Sequence, residues 1–110
     1  MKKLLFSLIV AAMSINMAQA GEGTAKEYYN ESCAKCHGVD GKGQTKMGQK
    51  LGAKDYTDAK VQKALTYEMA FKAIVDGFED KDGKVVMKPE KLLSNTQVKE
   101  LIEYMRKFQK

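Results

Sequence analysis

The sequence predicts an all-α fold, and three observations carry that prediction. Apolar or small residues recur at steps of three and four in stretches starting near Thr24, Thr66 and Ser94, the spacing that lines one face of a helix. Residues with capping chemistry stand at the head of these stretches, and Ser94 with Gln97 has the spacing of a capping box. No pair of segments reads as a convincing β-hairpin, and there is no internal repeat or low-complexity tract.

The first twenty residues are unlike the remainder. Lys2 and Lys3 form a basic start, Leu4 to Met13 is an apolar run, and Ala18-Gln19-Ala20 is a small-x-small cleavage pattern. Residues 1–20 therefore read as a secretory signal peptide, cut after Ala20. The run is about half the ~20 apolar residues that span a bilayer, so a retained anchor is disfavoured. No cysteine stands at the cut, so a lipoprotein anchor is not indicated. Residues 21–110 form one small domain, of a size that often needs a disulfide, a metal or a cofactor to complete its core.

Within that domain, Thr24 is expected to cap a first helix through Ala25, Tyr28, Tyr29, Cys33 and Cys36, with Gly38 as its stop. Val39 to Asp58 reads mainly as loop, rich in glycine, with Met47 and Leu51 as inward anchors. A short helix is expected around Asp58–Leu65. Thr66 caps the next, which carries Ala70, Ala73 and Ile74 on one face and ends before Gly77, with Phe78 tucking back behind it. Glu79 to Pro89 is polar and then extended, since Pro89 biases Lys88 away from helix. Val98, Leu101, Ile102, Met105 and Phe108 form the apolar stripe of the last helix.

The full chain carries a formal net charge of +5, part of it from Lys2 and Lys3. The lysines are dispersed and Arg106 is the single arginine, so nucleic-acid binding is disfavoured. A mildly basic surface suits docking on an acidic protein partner, and equally suits mere solubility.

Chemistry concentrates in one place. Cys33 and Cys36 are the only cysteines and His37 the only histidine. A thiol–disulfide pair is one reading, but such pairs usually open a helix after a strand, and no strand precedes Cys33. A structural zinc site needs four ligands, and the chain offers three of the usual kind. Covalent haem attachment accounts for all three residues. Positions i, i+3 and i+4 share a helix face, so two thiols can bond one porphyrin edge while the imidazole reaches the iron. Attachment of that kind takes place outside the cytoplasm, which agrees with the leader.

The segment Cys33-Ala34-Lys35-Cys36-His37-Gly38-Val39-Asp40-Gly41-Lys42-Gly43 resembles the haem-binding motif of small class I c-type cytochromes. The resemblance extends over nearly all of residues 21–110. Tyr29 stands four residues before the first cysteine, Met87 and Pro89 stand late, and a capped terminal helix carries Leu101 and Tyr104-Met105. It implies a cytochrome c-like fold in which the first and last helices cross, with Ala25 at the crossing near Tyr104. It implies one haem c, bound through Cys33 and Cys36, with His37 as an axial ligand.

The other axial position is open to the methionines. A thioether is a soft, neutral ligand that raises the reduction potential. Met69 and Met105 read as packing residues. Met47 has a short tether to His37. Met87 lies in an extended, proline-directed segment, and the resemblance implies that a methionine there supplies the sulfur, although Lys88 separates it from Pro89 where many relatives have the two adjacent. The His37 ring should donate to a backbone carbonyl, expected from the Gln44–Leu51 loop because no proline-containing loop follows the motif. Tyr56 and lysines are available to hold the haem propionates.

The function implied is a soluble, monomeric, periplasmic carrier of single electrons with His37/Met87 ligation. It would meet oxidases, reductases or other cytochromes at the haem edge, near Lys35, Lys42, Lys84 and Lys88. The alternative is a haem-based sensor with a labile sixth ligand. No set of side chains suggests an enzyme.

Overall fold

The computed structural model describes residues 21–110. The leader expected over residues 1–20 lies outside the described residues. Helix α1 (Gly21–Tyr28) runs without a break into a π-helical turn (Tyr29–Cys33) and then α2 (Ala34–His37). Thr24, expected as a cap, lies inside α1. Gly38 ends α2 as expected, at φ 83°, a conformation that glycine adopts without strain.

Helix α3 (Lys46–Leu51) interrupts the stretch expected to be loop. Thr45 caps it by accepting from Gly48 N–H, and Gly52 ends it in the left-handed conformation. Asp58 caps α4 (Ala59–Ala64) and Thr66 caps α5 (Tyr67–Asp76), which ends at Gly77. A small antiparallel ladder follows, β1 (Phe78–Glu79) with β2 (Val85–Met87), pairing Phe78 with Met87 across an irregular register. The sequence reading missed this ladder because neither strand is long enough to show alternation. Phe78 is 53% exposed and does not tuck behind α5. Helix α6 (Asn95–Arg106) opens with the full capping box of Ser94 and Gln97. The fold is all-α with this one small ladder.

Two apolar clusters meet on α6. One joins Ala25, Tyr29 and Ala34 to Leu101, with Tyr104 packed against it, so α1 and α6 cross at Ala25 as expected. The other joins Leu65 and Ala70 to Val98, Ile102 and Met105. Val98 and Ile102 are fully enclosed, each stabilising the fold by about 1.5–3 kcal/mol relative to an exposed position. Beside them the buried Gln62 donates to the carbonyls of Tyr56 and Met105, and Arg106 donates to Gln62 and to the Leu65 carbonyl. These bonds fasten α4 to the end of α6. Among the described residues no helix is long and apolar enough to cross a membrane.

Helix α3 packs on α2 through backbone. A Cβ added at Gly48 would stand 2.1 Å from the Cys36 carbonyl oxygen and 2.7 Å from that of Gly43. Substitution Gly48→Ala must therefore push α3 off α2. It should cost about 1–3 kcal/mol in denaturant unfolding, as overpacking does. Ser94→Ala removes one half of the capping box and should cost about 1 kcal/mol in the same assay.

Candidate functional site

A cavity of about 650 Å³ opens between the helix carrying the cysteines, α5, the β ladder and α6. Its volume lies within the ~300–1,000 Å³ typical of ligand and cofactor sites, and its lining is largely apolar. Cys33 and His37 both line it, as does Met87. Cys36 is half-buried on the same helical run and does not line it.

The position of His37 is set by the end of α2. A helix terminus leaves its last carbonyls without partners inside the helix. Here the Cys36 carbonyl accepts from Thr45 Oγ1 at 2.7 Å, the His37 carbonyl from Gly43 N–H at 2.8 Å, and the Gly38 carbonyl from the Tyr29 hydroxyl at 2.8 Å. The Gly43–Thr45 loop and Tyr29 thus grip three consecutive residues. The His37 ring stacks on Tyr56, with centroids 4.7 Å apart and planes 23° apart. Burial holds the imidazole pKa below its ordinary value, which favours the neutral ring, the form that binds metal. The backbone of Lys54 lies close enough to oppose that shift, while His37 Nδ1 is buried without a hydrogen-bond partner. The backbone that acts on the ring is that of Lys54, just beyond the Gln44–Leu51 loop expected to serve it. The reason is that α3 turns its glycine face, not a free carbonyl, toward α2.

The two cysteines are not joined to each other. Burial, with Glu90 and Cys36 adding to it, pushes the Cys33 thiol up to about 12. A thiol–disulfide catalyst needs the opposite, a thiolate stabilised near neutral pH. Among the described residues no group of three or more His, Cys, Asp or Glu side chains converges to hold a bare metal ion. A largely apolar cavity with an imidazole and an unpaired cysteine on its wall instead fits a covalently tethered porphyrin.

The methionines divide clearly. Met47 is 42% exposed on α3 and does not line the cavity. Met69, Met87 and Met105 do line it. Met105 is 6% exposed inside the α5–α6 core, and Met69 is 53% exposed near the start of α5. Met87 is half-buried at the end of β2, followed by the exposed Lys88 and Pro89. Sequence reasoning missed the stacking role of Tyr56 and the joint role of Thr45 and Gly48. The cap spacing from Thr45 to the Gly48 amide was the available signal.

The chain matches the family model described as Cytochrome c over residues 23–109. Among solved structures it is similar to the KustC0563 c-type cytochrome. The identity is 32% and the TM-score 0.65, over 78% of this chain and 98% of that one. It is similar as well to a tyrosine-to-phenylalanine mutant of Kustc0563, at 30% identity and a TM-score of 0.62, over 77% of this chain and 98% of the other. No match emerges among curated protein sequences. The family match takes in every helix from α2 to α6 and all the residues that grip His37, and the chain accordingly belongs to the cytochrome c family, as a haem c-binding electron carrier of the small class I type.

Proposed function

We propose that the protein is an exported, monomeric carrier of single electrons whose haem c is tethered through Cys33 and Cys36 and ligated by His37 and Met87. The observation that carries this reading is that Cys33, His37 and Met87 line one apolar cavity although they come from distant parts of the sequence. When bound, haem supplies a one-electron iron couple whose potential follows its axial ligands and its burial.

The chain's own residues do the rest. Cys33 and Cys36 hold the cofactor covalently, so a small domain does not lose it by dissociation. The hydrogen bonds from Thr45, Gly43 and Tyr29 keep the His37 backbone from shifting when the charge of the site changes. Met87 offers a neutral sulfur from the β ladder, which favours the reduced state more than an anionic ligand would. The apolar wall excludes water and disfavours additional positive charge inside it. Lys35 and Lys88 are exposed at the surface, and with Lys42 and Lys84 they supply the basic rim for redox partners.

The test is a pair of spectra, oxidised and reduced, with carbon monoxide added to the reduced protein. The wild type should show a low-spin reduced spectrum, a sulfur–iron charge-transfer band in the oxidised form, and slow carbon monoxide binding. Met87→Ala should abolish the charge-transfer band and accelerate carbon monoxide binding by an order of magnitude or more. Met47→Ala should change neither. Rapid binding by the wild type would instead support a ligand sensor.

Export rests on the leader pattern of residues 1–20 and on the location of haem attachment in general. Protein matured in a host that attaches haem c and exports it should begin at Gly21. Intact mass should correspond to residues 21–110 plus one haem. A haem-loaded chain retaining Met1 would remove cleavage after Ala20 and favour a retained anchor.

A further inference from the structure

The segment that carries Met87 is thinly fastened. At one end it has only the short β1–β2 ladder, and such a two-strand ladder is marginal alone. Beyond Pro89, the Glu90 N–H donates to the Ile74 carbonyl on α5 at 2.8 Å. Gly77 lets the segment pass close to the end of α5, since a Cβ there would stand 2.6 Å from the Met87 carbonyl oxygen and 2.9 Å from Pro89 Cδ. One more tie crosses to a different helix. The Tyr28 hydroxyl, on α1, donates to Glu90 Oε2 at 2.5 Å across 62 residues of sequence. Bonds of this kind, hydroxyl to carboxylate, are short and stronger than neutral ones. Burial first, and then Glu90, pushes the Tyr28 phenol up to about 12, so it remains a donor at any ordinary pH.

We propose that Tyr28 and Glu90 are positioning residues that latch the Met87–Glu90 segment onto the helix carrying the cysteines, and thereby set how often the methionine side of the cavity opens. The latch deepens the reading of Met87 as a ligand and rests on it for its effect on ligand entry. Its geometry is independent of that reading. Tyr28 and Cys33 belong to one unbroken helical run, so the latch fixes the segment relative to the cysteine itself rather than to a remote surface.

The experiment uses the haem-loaded protein and two readouts. Amide hydrogen exchange over residues 85–92 reports opening of the segment, and carbon monoxide binding to the reduced form reports access to the iron. Tyr28→Phe and Glu90→Ala should each raise both by about fivefold, the loss expected for one partly exposed, charge-assisted bond. Glu90→Gln retains an acceptor and should recover most of the difference. The double variant Tyr28→Phe/Glu90→Ala should be no faster than either single one. Exchange over 85–92 that is unchanged in Tyr28→Phe overturns the latch, as does a uniform rise that includes α5 and α6, since that is general destabilisation. Met87→Ala separates the two ideas: if it fails to accelerate carbon monoxide binding, the ligand assignment falls while the exchange data still decide the latch.

Discussion

The end of α2 is the constraint on which the site depends. The carbonyls of Cys36, His37 and Gly38 point out of the last turn, and each finds a donor, two from the Gly43–Thr45 loop and one from Tyr29. An exposed helix end would leave these acceptors to water. Here they are anchors. Each bond is worth only about 1 kcal/mol net, but removing a donor strands a partly buried acceptor, which costs more. The glycines follow from this arrangement. Gly43 must approach the Ala53 and Lys54 carbonyls within a distance that no Cβ allows, and Gly48 lies directly against Cys36. What composition alone suggests is a loose, glycine-rich loop is in fact a seam of backbone packed on backbone.

Tyr29 carries that constraint into the rest of the core. Its hydroxyl holds Gly38, while its ring packs against those of Tyr104 and Phe108, 5.3 and 5.2 Å away. Phe108 in turn lies where a side chain at Gly41 would have to go. The crossing of α1 and α6 is thus linked, through one tyrosine, to the peptide that positions His37. The π-helical turn at Tyr29–Cys33 belongs to the same arrangement. Insertions of this kind are common at functional sites because they change which direction successive side chains face.

How much of this could be read in the sequence depended on length and locality. The long elements were legible: α5 and α6 have caps, stripes and stops that act within one helix, and the structure keeps Thr66, Gly77, Ser94 and Gln97 in the roles their spacing implied. The cluster of Cys33, Cys36 and His37 was legible because its chemistry is local. The short elements were not. Helix α3 is six residues long and meets α2 through its one glycine, Gly48, so its apolar signal is weak. The β ladder is too short for alternation. The backbone around the His37 ring was illegible for a different reason. A backbone carbonyl has no identity in sequence, so nothing distinguishes Lys54 from the loop before it until the chain is folded. The pairing of Tyr28 with Glu90 is long-range, and neither residue carries a pattern of its own.

These features make the two sides of the cavity unequal. On the His37 side, the ring is stacked on Tyr56 and its peptide is gripped by three donors. On the Met87 side, the chain is a short ladder that ends in two exposed residues and is tied to α5 and α1 by single bonds. Local opening is cheapest where buried contacts are fewest, so fluctuation of the cavity should be concentrated on the methionine side. The cavity between the two sides is largely apolar, while Lys35 beside the cysteine motif is exposed. The cost of moving an electron in such a site falls on its low-polarity wall and on the stiffness of the α2 terminus, and both are set by folding.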